Sequence, residues 1–153
     1  MQKFIVCLIL SMLSMTLIKT EAQVTKMAPF KAPILHTSLN GFSDSASIPY
    51  QDIRNFIGMP LVVMDSARKK YLVSSFQVIY RRLGVTENEK TKKVMPAYTF
   101  SSERFSGNQL SALWQRIIRE ESKPTESIRF FDVIVKDENN RLMFAGDLLL
   151  KLR

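Results

Sequence analysis

Few side chains in this chain could do chemistry, and their spacing argues against most reactions. His36 is the only histidine among 153 residues and stands beside Thr37 and Ser38. A hydroxyl nucleophile needs a base within hydrogen-bond reach and a third group that orients that base. No G-x-S-x-G elbow is present to expose a serine, so His36 is expected to be an ordinary strand histidine. The one cysteine, Cys7, lies in an apolar amino-terminal run. A zinc site of the usual nitrogen and sulfur donors therefore lacks a ligand set. Carboxylates are better placed to meet: Asp132, Asp137, Glu138 and Asp147 fall on or beside the last predicted hairpin, and paired acids can hydrolyse glycosides. Yet Asp137-Glu138-Asn139-Asn140 has the composition of a turn and lacks the spaced ligands and glycine of a calcium loop. Trp114 falls within a helical stripe and is expected in the core. The residues predict a non-enzymatic protein with no cofactor and no metal.

The elements that would position these residues follow a segment of another character. Lys3 opens a nearly uncharged apolar run from Phe4 to Ile18, followed by Thr20-Glu21-Ala22. A basic start, about fifteen apolar residues and small side chains three and one before a cut are the marks of a signal peptide. A membrane span needs roughly 20 apolar residues. Residues 1–22 are thus expected to be a signal peptide cleaved after Ala22, which places the mature chain in the periplasm or outside the cell. Cleavage would also remove Cys7, so packing must stabilise the remainder in a compartment where disulfides are allowed. An uncut run would instead act as an anchor, and the mass of the native protein distinguishes the two. The roughly 130 residues beyond Ala22 suit one domain burying about two thirds of its unfolded surface.

Lys and Arg outnumber Asp and Glu, 22 to 14, for a net charge of +8. In an exported protein this argues against a nucleic-acid partner, and the basic groups are short and interleaved with acids: Arg68-Lys69-Lys70, Arg81-Arg82, Lys90 to Lys93. They read as a solvated face with an attraction for acidic partners or an anionic envelope surface.

Residues 23–47 read as a leader and a first strand over Ile34 to Leu39. Ser47 to Gly58 predicts a short helix, with Pro49 at its first position, Ile53, Phe56 and Ile57 on one face, and Gly58 as a left-handed stop. Leu61 to Met64 and Tyr71 to Arg81 then form a hairpin around a polar turn, with Leu72, Phe76, Val78 and Tyr80 on the core side. Leu83 to Ala97, with Gly84, Pro96 and the charged run from Glu87 to Lys93, predicts an exposed loop. A strand from Tyr98 to Phe105 leads into Ser106-Gly107-Asn108-Gln109, read as a capping box stapled by Phe105 and Leu110. The helix beyond it presents Leu110, Leu113, Trp114, Ile117 and Ile118 as one stripe. The final hairpin alternates through Phe131, Val133 and Val135, turns at Asp137 to Asn140, and holds Leu142, Phe144, Leu148, Leu150 and Leu152 on one parity.

Pro60-Leu61-Val62-Val63, the strand Tyr71 to Val78, the helix start from Phe105 to Trp114 and the ending Phe130 to Asp137 carry a resemblance. Residues 48–153 resemble the carboxyl-terminal domain of GldM and PorM, proteins of the gliding and type IX secretion machinery of Bacteroidota. The order of short helix, V-S-F strand, capped helix and two closing strands is similar. The resemblance implies a mainly β (α+β) fold, an immunoglobulin-like antiparallel β-sandwich with one or two short helices in a single domain. It also implies a partner among envelope proteins, in particular outer-membrane-associated ring components of the secretion machinery. The transmembrane anchor of that family has no counterpart after a cleaved signal, so a stand-alone accessory is expected. The contact residues expected are Arg81, Arg82, Lys90, Lys92 and Lys93, with the terminal strand as a second surface if its edge is free. Two other functions remain open: a carbohydrate-active or carbohydrate-binding protein using the acids of the last hairpin, and an adhesin or surface-fibre component that forms homo-oligomers.

Overall fold

A computed structural model describes residues 30–153; the predicted signal peptide and its cleavage after Ala22 lie outside the described residues. Ala32–Arg153 forms one compact unit. Its first strand, β1 (Leu35–Leu39), buries Leu35, Thr37 and Leu39 in alternation. Asn40 (φ 49°) and Gly41 (φ 83°) then turn the chain back in two residues, the left-handed pair that tight hairpins require. Leu39 therefore pairs with Phe42 in β2 (Phe42–Ser43). Asp44, at φ 56°, passes the chain directly to β3 (Ser45–Ile48).

The helix predicted from Ser47 to Gly58 is shorter. Ser47 and Ile48 belong to β3, and α1 spans only Ile53–Phe56. Pro49 precedes a turn, and β3 is held by parallel pairing with the chain's last strand. Gly58 does not adopt the left-handed conformation; a Cβ there would meet the Arg119 and Gln115 side-chain ends at 2.5 and 2.7 Å. Its glycine thus serves close approach to the second helix.

β4 (Val62–Asp65) and the long β5 (Lys70–Glu87) flank a turn closed by Asp65, whose Oδ1 accepts the N–H of Ala67 and of Lys69. The expected parity of β5 holds for Phe76, Val78 and Tyr80, all fully buried, but fails at its start: Leu72 is 68% exposed and Val73 is buried. Register shifts at Ser75 against the neighbouring strand insert an irregularity that moves the inward set by one residue.

The predicted loop from Leu83 to Ala97 is a hairpin. β5 continues to Glu87, β6 spans Val94–Ser106, and the two pair without interruption from Ser75 with Ser106 to Glu87 with Val94. Only Asn88 to Lys93 lies between them, tied by Asn88 Oδ1 to the N–H groups of Lys90 and Thr91.

The capping box is not formed. Ser106 ends β6, Gly107 is left-handed at φ 84°, and Gln109 donates to the Gly58 carbonyl. Helix α2 (Ala112–Glu121) starts five residues later than that box would have it, with Ser111 as the N-cap accepting the Trp114 N–H. Trp114 and Ile118 are buried, Ile117 packs partly, and Leu113 is exposed. Leu110 is buried as predicted, ahead of the helix.

β7 (Ser127–Lys136) is the second central strand. It buries Ile128 and Phe130, then Val133 and Val135; Asp132, at φ 47°, takes up the extra residue, which leaves Phe131 on the other face. The Asp137 turn forms as expected, its Oδ1 accepting the N–H of Asn139 and of Arg141. The last parity run then breaks into β8 (Leu142–Ala145) and β9 (Leu148–Leu152), which pair with opposite halves of β7. Met143 is buried, whereas Leu142 and Phe144 are exposed; Leu148, Leu150 and Leu152 are buried as predicted.

The hydrogen-bonded order is β2-β1-β4-β5-β7-β9-β3, with β6 on β5 and β8 on β7 off that path. Among the described residues the fold is mainly β with two helices. Because β2 and β3 are consecutive, the two ends of the path meet at Asp44, whose carbonyl accepts the Leu149 N–H, and the sheet is nearly closed into a barrel-like form. One pair, β3 with β9, is parallel, so pairing is not wholly antiparallel. The terminal strand lies between β7 and β3 and has no free edge, which removes it as a docking edge.

Candidate interaction surface

Beyond Arg81 the strand β5 loses β7 as a neighbour and runs on with β6 alone, forming a two-stranded arm. Directly opposed residues of an antiparallel pair point to the same side. Arg81, Leu83, Val85 and Glu87 thus share a face with Phe100, Tyr98, Pro96 and Val94. It is the face opposite buried Phe76, Val78 and Tyr80. Val85, Val94, Tyr98 and Phe100 are exposed on it, Phe100 to 66%. Pairing of Gln77 with Phe131 and of Arg129 with Leu149 carries the same outer face on across the sheet. Large exposed apolar groups gathered on one face mark an interaction surface more strongly than scattered ones.

The five expected contact cations do not form one patch. Arg81 lies over the Tyr98 ring, 3.5 Å from its centroid, on the outer face. Arg82, its side chain on the other face, bonds Glu121. Lys90, Lys92 and Lys93 sit at the arm's tip, where Lys92 is 3.5 Å from Glu87. Root and tip are roughly 17 Å apart at about 3.3 Å per strand residue. Sequence reasoning missed Val85, Val94, Tyr98 and Phe100 because Gly84 and Pro96 suggested a loop. The alternation of Pro96, Tyr98 and Phe100 with Ala97, Thr99 and Ser101 was the available signal.

The backbone of β6 adds a second feature. Gly107 N–H donates to Ser74 O at 2.8 Å and Asn88 N–H to Lys93 O at 3.0 Å, at either end of the pairing. In an antiparallel ladder hydrogen-bonded pairs alternate with pairs whose backbone groups point away. Odd-numbered residues of β6 therefore bond to β5. Val94, Pro96, Tyr98, Phe100, Ser102 and Arg104 direct their backbone groups to the open side. Pro96 conforms, since an outward position needs no N–H. Among the described residues no strand pairs with that edge.

The acids proposed for carbohydrate chemistry are separately engaged. Asp132 accepts from Gln77 Nε2 at 2.7 Å, with Arg104 4.0 Å away, and Asp147 accepts from Arg129. The carboxyl of Asp137 is pushed up by partial desolvation but held below its ordinary range by the Arg141 N–H and guanidinium and the Asn139 N–H. His36 is 3.3 Å from Asp44 at the surface. Trp114 is buried as expected, its indole N–H donating to Glu103.

Glu126 drew no attention in the sequence. Only 2% exposed, it accepts the Tyr80 hydroxyl at 2.5 Å, the Leu83 N–H at 3.0 Å and the Lys123 N–H at 3.0 Å. Burial and the adjoining carboxylate raise the Tyr80 phenol well above its ordinary range. This group locks the arm's root to the end of the α2–β7 connection. Above it opens a cleft of about 330 Å³ lined by Arg81, Thr125, Ser127 and Lys151, among others.

Among the described residues no group of three His, Cys, Asp or Glu side chains could hold a metal ion, and no helix is long and apolar enough to cross a membrane. Comparison with family models, with curated proteins and with solved structures finds no match for this chain.

Proposed function

We propose that this protein is an exported, non-enzymatic interaction module of the cell envelope, accessory to machinery of the gliding and type IX secretion kind. The observation that carries the interaction reading is the exposed apolar outer face of the β5–β6 arm, where Val85, Val94, Tyr98 and Phe100 stand clear of the core. The order of short helix, central hairpin, second helix and closing strands supports the link with that machinery. An immunoglobulin-like packing of sheet halves belongs to the same reading, supported by a single core cluster that joins Leu35 and Val63 on one side to Val78, Ile128 and Leu150 on the other.

The test is a cross-linked capture from the native envelope with the wild-type protein and a Tyr98→Ser, Phe100→Ser variant. Ring components of the secretion machinery should be recovered by the first and lost with the second. Equal recovery by both would remove the arm from the reading, and recovery of no envelope protein by either would overturn the reading itself.

A further inference from the structure

We infer that the open edge of β6 is a strand-addition site that takes an extended, acidic segment of a partner protein. The inference rests on the interaction reading and gives it a mode. Strand addition needs unpaired backbone donors and acceptors in a regular row, and side-chain surface beside them for specificity. Tyr98, Phe100, Ser102 and Arg104 supply the row, with outward backbone groups over the half of β6 nearest the body. Beyond them Pro96 removes a donor, and Arg104 at the row's other end places a charge, devices that limit edge pairing without closing it.

The partner's chemistry follows from charge. On the side where Tyr98 and Phe100 point, the cations of β5 and β6 are Arg81 and Arg104, and Arg104 has only a 4.0 Å approach to Asp132, whereas Arg129 further across the face is bonded to Asp147 and the acid Glu87 at the tip is paired with Lys92. Glu103, the acid within this half of β6, points to the core side and is bonded to Trp114. The lysines of the tip extend the positive field along the arm. A chain carrying +8 repels a second copy of itself and attracts an acidic strand. Acidic side chains would meet Arg104 and Arg81, and apolar ones on the same face would lie against Phe100.

The substitution Ser102→Pro tests the edge cleanly. Ser102 gives no ladder hydrogen bond to β5, so the protein should keep its fold as it does with Pro96, while an added strand loses a donor and meets the ring. The probe is a synthetic eight-residue peptide, Glu-Thr-Val-Thr-Glu-Thr-Val-Thr, whose period of two puts glutamate and valine on one face, with a lysine-for-glutamate counterpart, added to the full chain while amide hydrogen exchange is followed. The glutamate peptide should slow exchange at Tyr98, Phe100, Ser102 and Arg104 by about tenfold or more and leave the already bonded Thr99, Ser101 and Glu103 unchanged, which corresponds to at least about 1.4 kcal/mol of protection. Ser102→Pro should abolish the effect, and Arg104→Glu should shift preference to the lysine peptide. No protection, equal action of both peptides, or protection that grows with protein concentration in the absence of peptide would overturn the inference. Envelope capture that survives Ser102→Pro would overturn strand addition while leaving the interaction reading intact.

Discussion

Glu126 shows how much one buried group can fix. Its carboxylate satisfies a hydroxyl and two backbone N–H groups from three different places in the chain, and removing any one partner leaves a desolvated charge less well solvated. Tyr80→Phe should cost about 1.5–3 kcal/mol, the usual worth of a hydrogen bond to a charged group. The sign with pH follows from the raised phenol. A group whose folded pKa lies above its unfolded value of about 10 contributes stability that is complete below that value and is lost as pH rises past it. Denaturant midpoints of the wild type should therefore fall more steeply than those of Tyr80→Phe between about pH 9.5 and 11. Equal slopes would show that Tyr80 is not the group responsible. Tyr71, raised by partial desolvation and its bond to Asp65, supplies a smaller share in both proteins. No pattern in Lys123-Pro124-Thr125-Glu126 announces this role, because it depends on where Tyr80 arrives from 46 residues away. Asp65 and Asp137 differ: their turns are local, and their composition was readable as such.

At the scale of elements, the strands were legible and their parities were not. Hydrophobic alternation locates β1, β4, β5, β7 and β9, but a single extra residue reverses which side is buried. The shift at Ser75 and the left-handed Asp132 do so in the two central strands, and neither residue type announces a bulge. Asn40-Gly41 was the opposite case, a strong two-residue turn signal left unread. Helix α2 illustrates competing caps. Ser106 with Gln109 satisfies the pattern of a capping box, yet Ser106 is held in β6 by Ser75, so Ser111 takes the role. Ser111→Ala should destabilise by about 1 kcal/mol, the usual cost of an N-cap, and Ser106→Ala by much less; thermal unfolding of both decides it. β9 is a short strand paired on both sides, with β7 and with β3. Leu150→Ala should cost about 2–5 kcal/mol. Loss of residues 149–153 would also strip partners from the N–H groups of Tyr50 and Thr125, and should abolish cooperative urea unfolding.

Taken whole, the described unit divides its stability unevenly. The core cluster draws on β1, β3, β4, β5, β7, β8 and β9, on Phe105 at the body end of β6 and on both helices, whereas the arm beyond Arg81 contributes no fully buried side chain. Net charge and the basic runs placed the expected contacts on cations, which a sequence displays, whereas the apolar face emerges only when Val94 and Val85 are brought beside each other by the hairpin. A region with few buried contacts and solvent-exposed backbone bonds opens locally at low free energy while the rest stays closed. The arm's tip also holds Lys90, Lys92 and Lys93 in an exposed six-residue connection, a favourable site for a protease specific for basic residues. Brief trypsin treatment should therefore cut there before any other described position. The nicked chain should keep its circular dichroism and, within about 1 kcal/mol, its unfolding free energy, as surface changes away from buried features do. In hydrogen exchange, the amides of Gly84 and Thr86, bonded to β6, should exchange by local opening, and those of Val78, Ile128 and Leu150 only by global unfolding. A nick that unfolds the whole sheet would show that the arm is an integral part of the core and not a projecting contact surface.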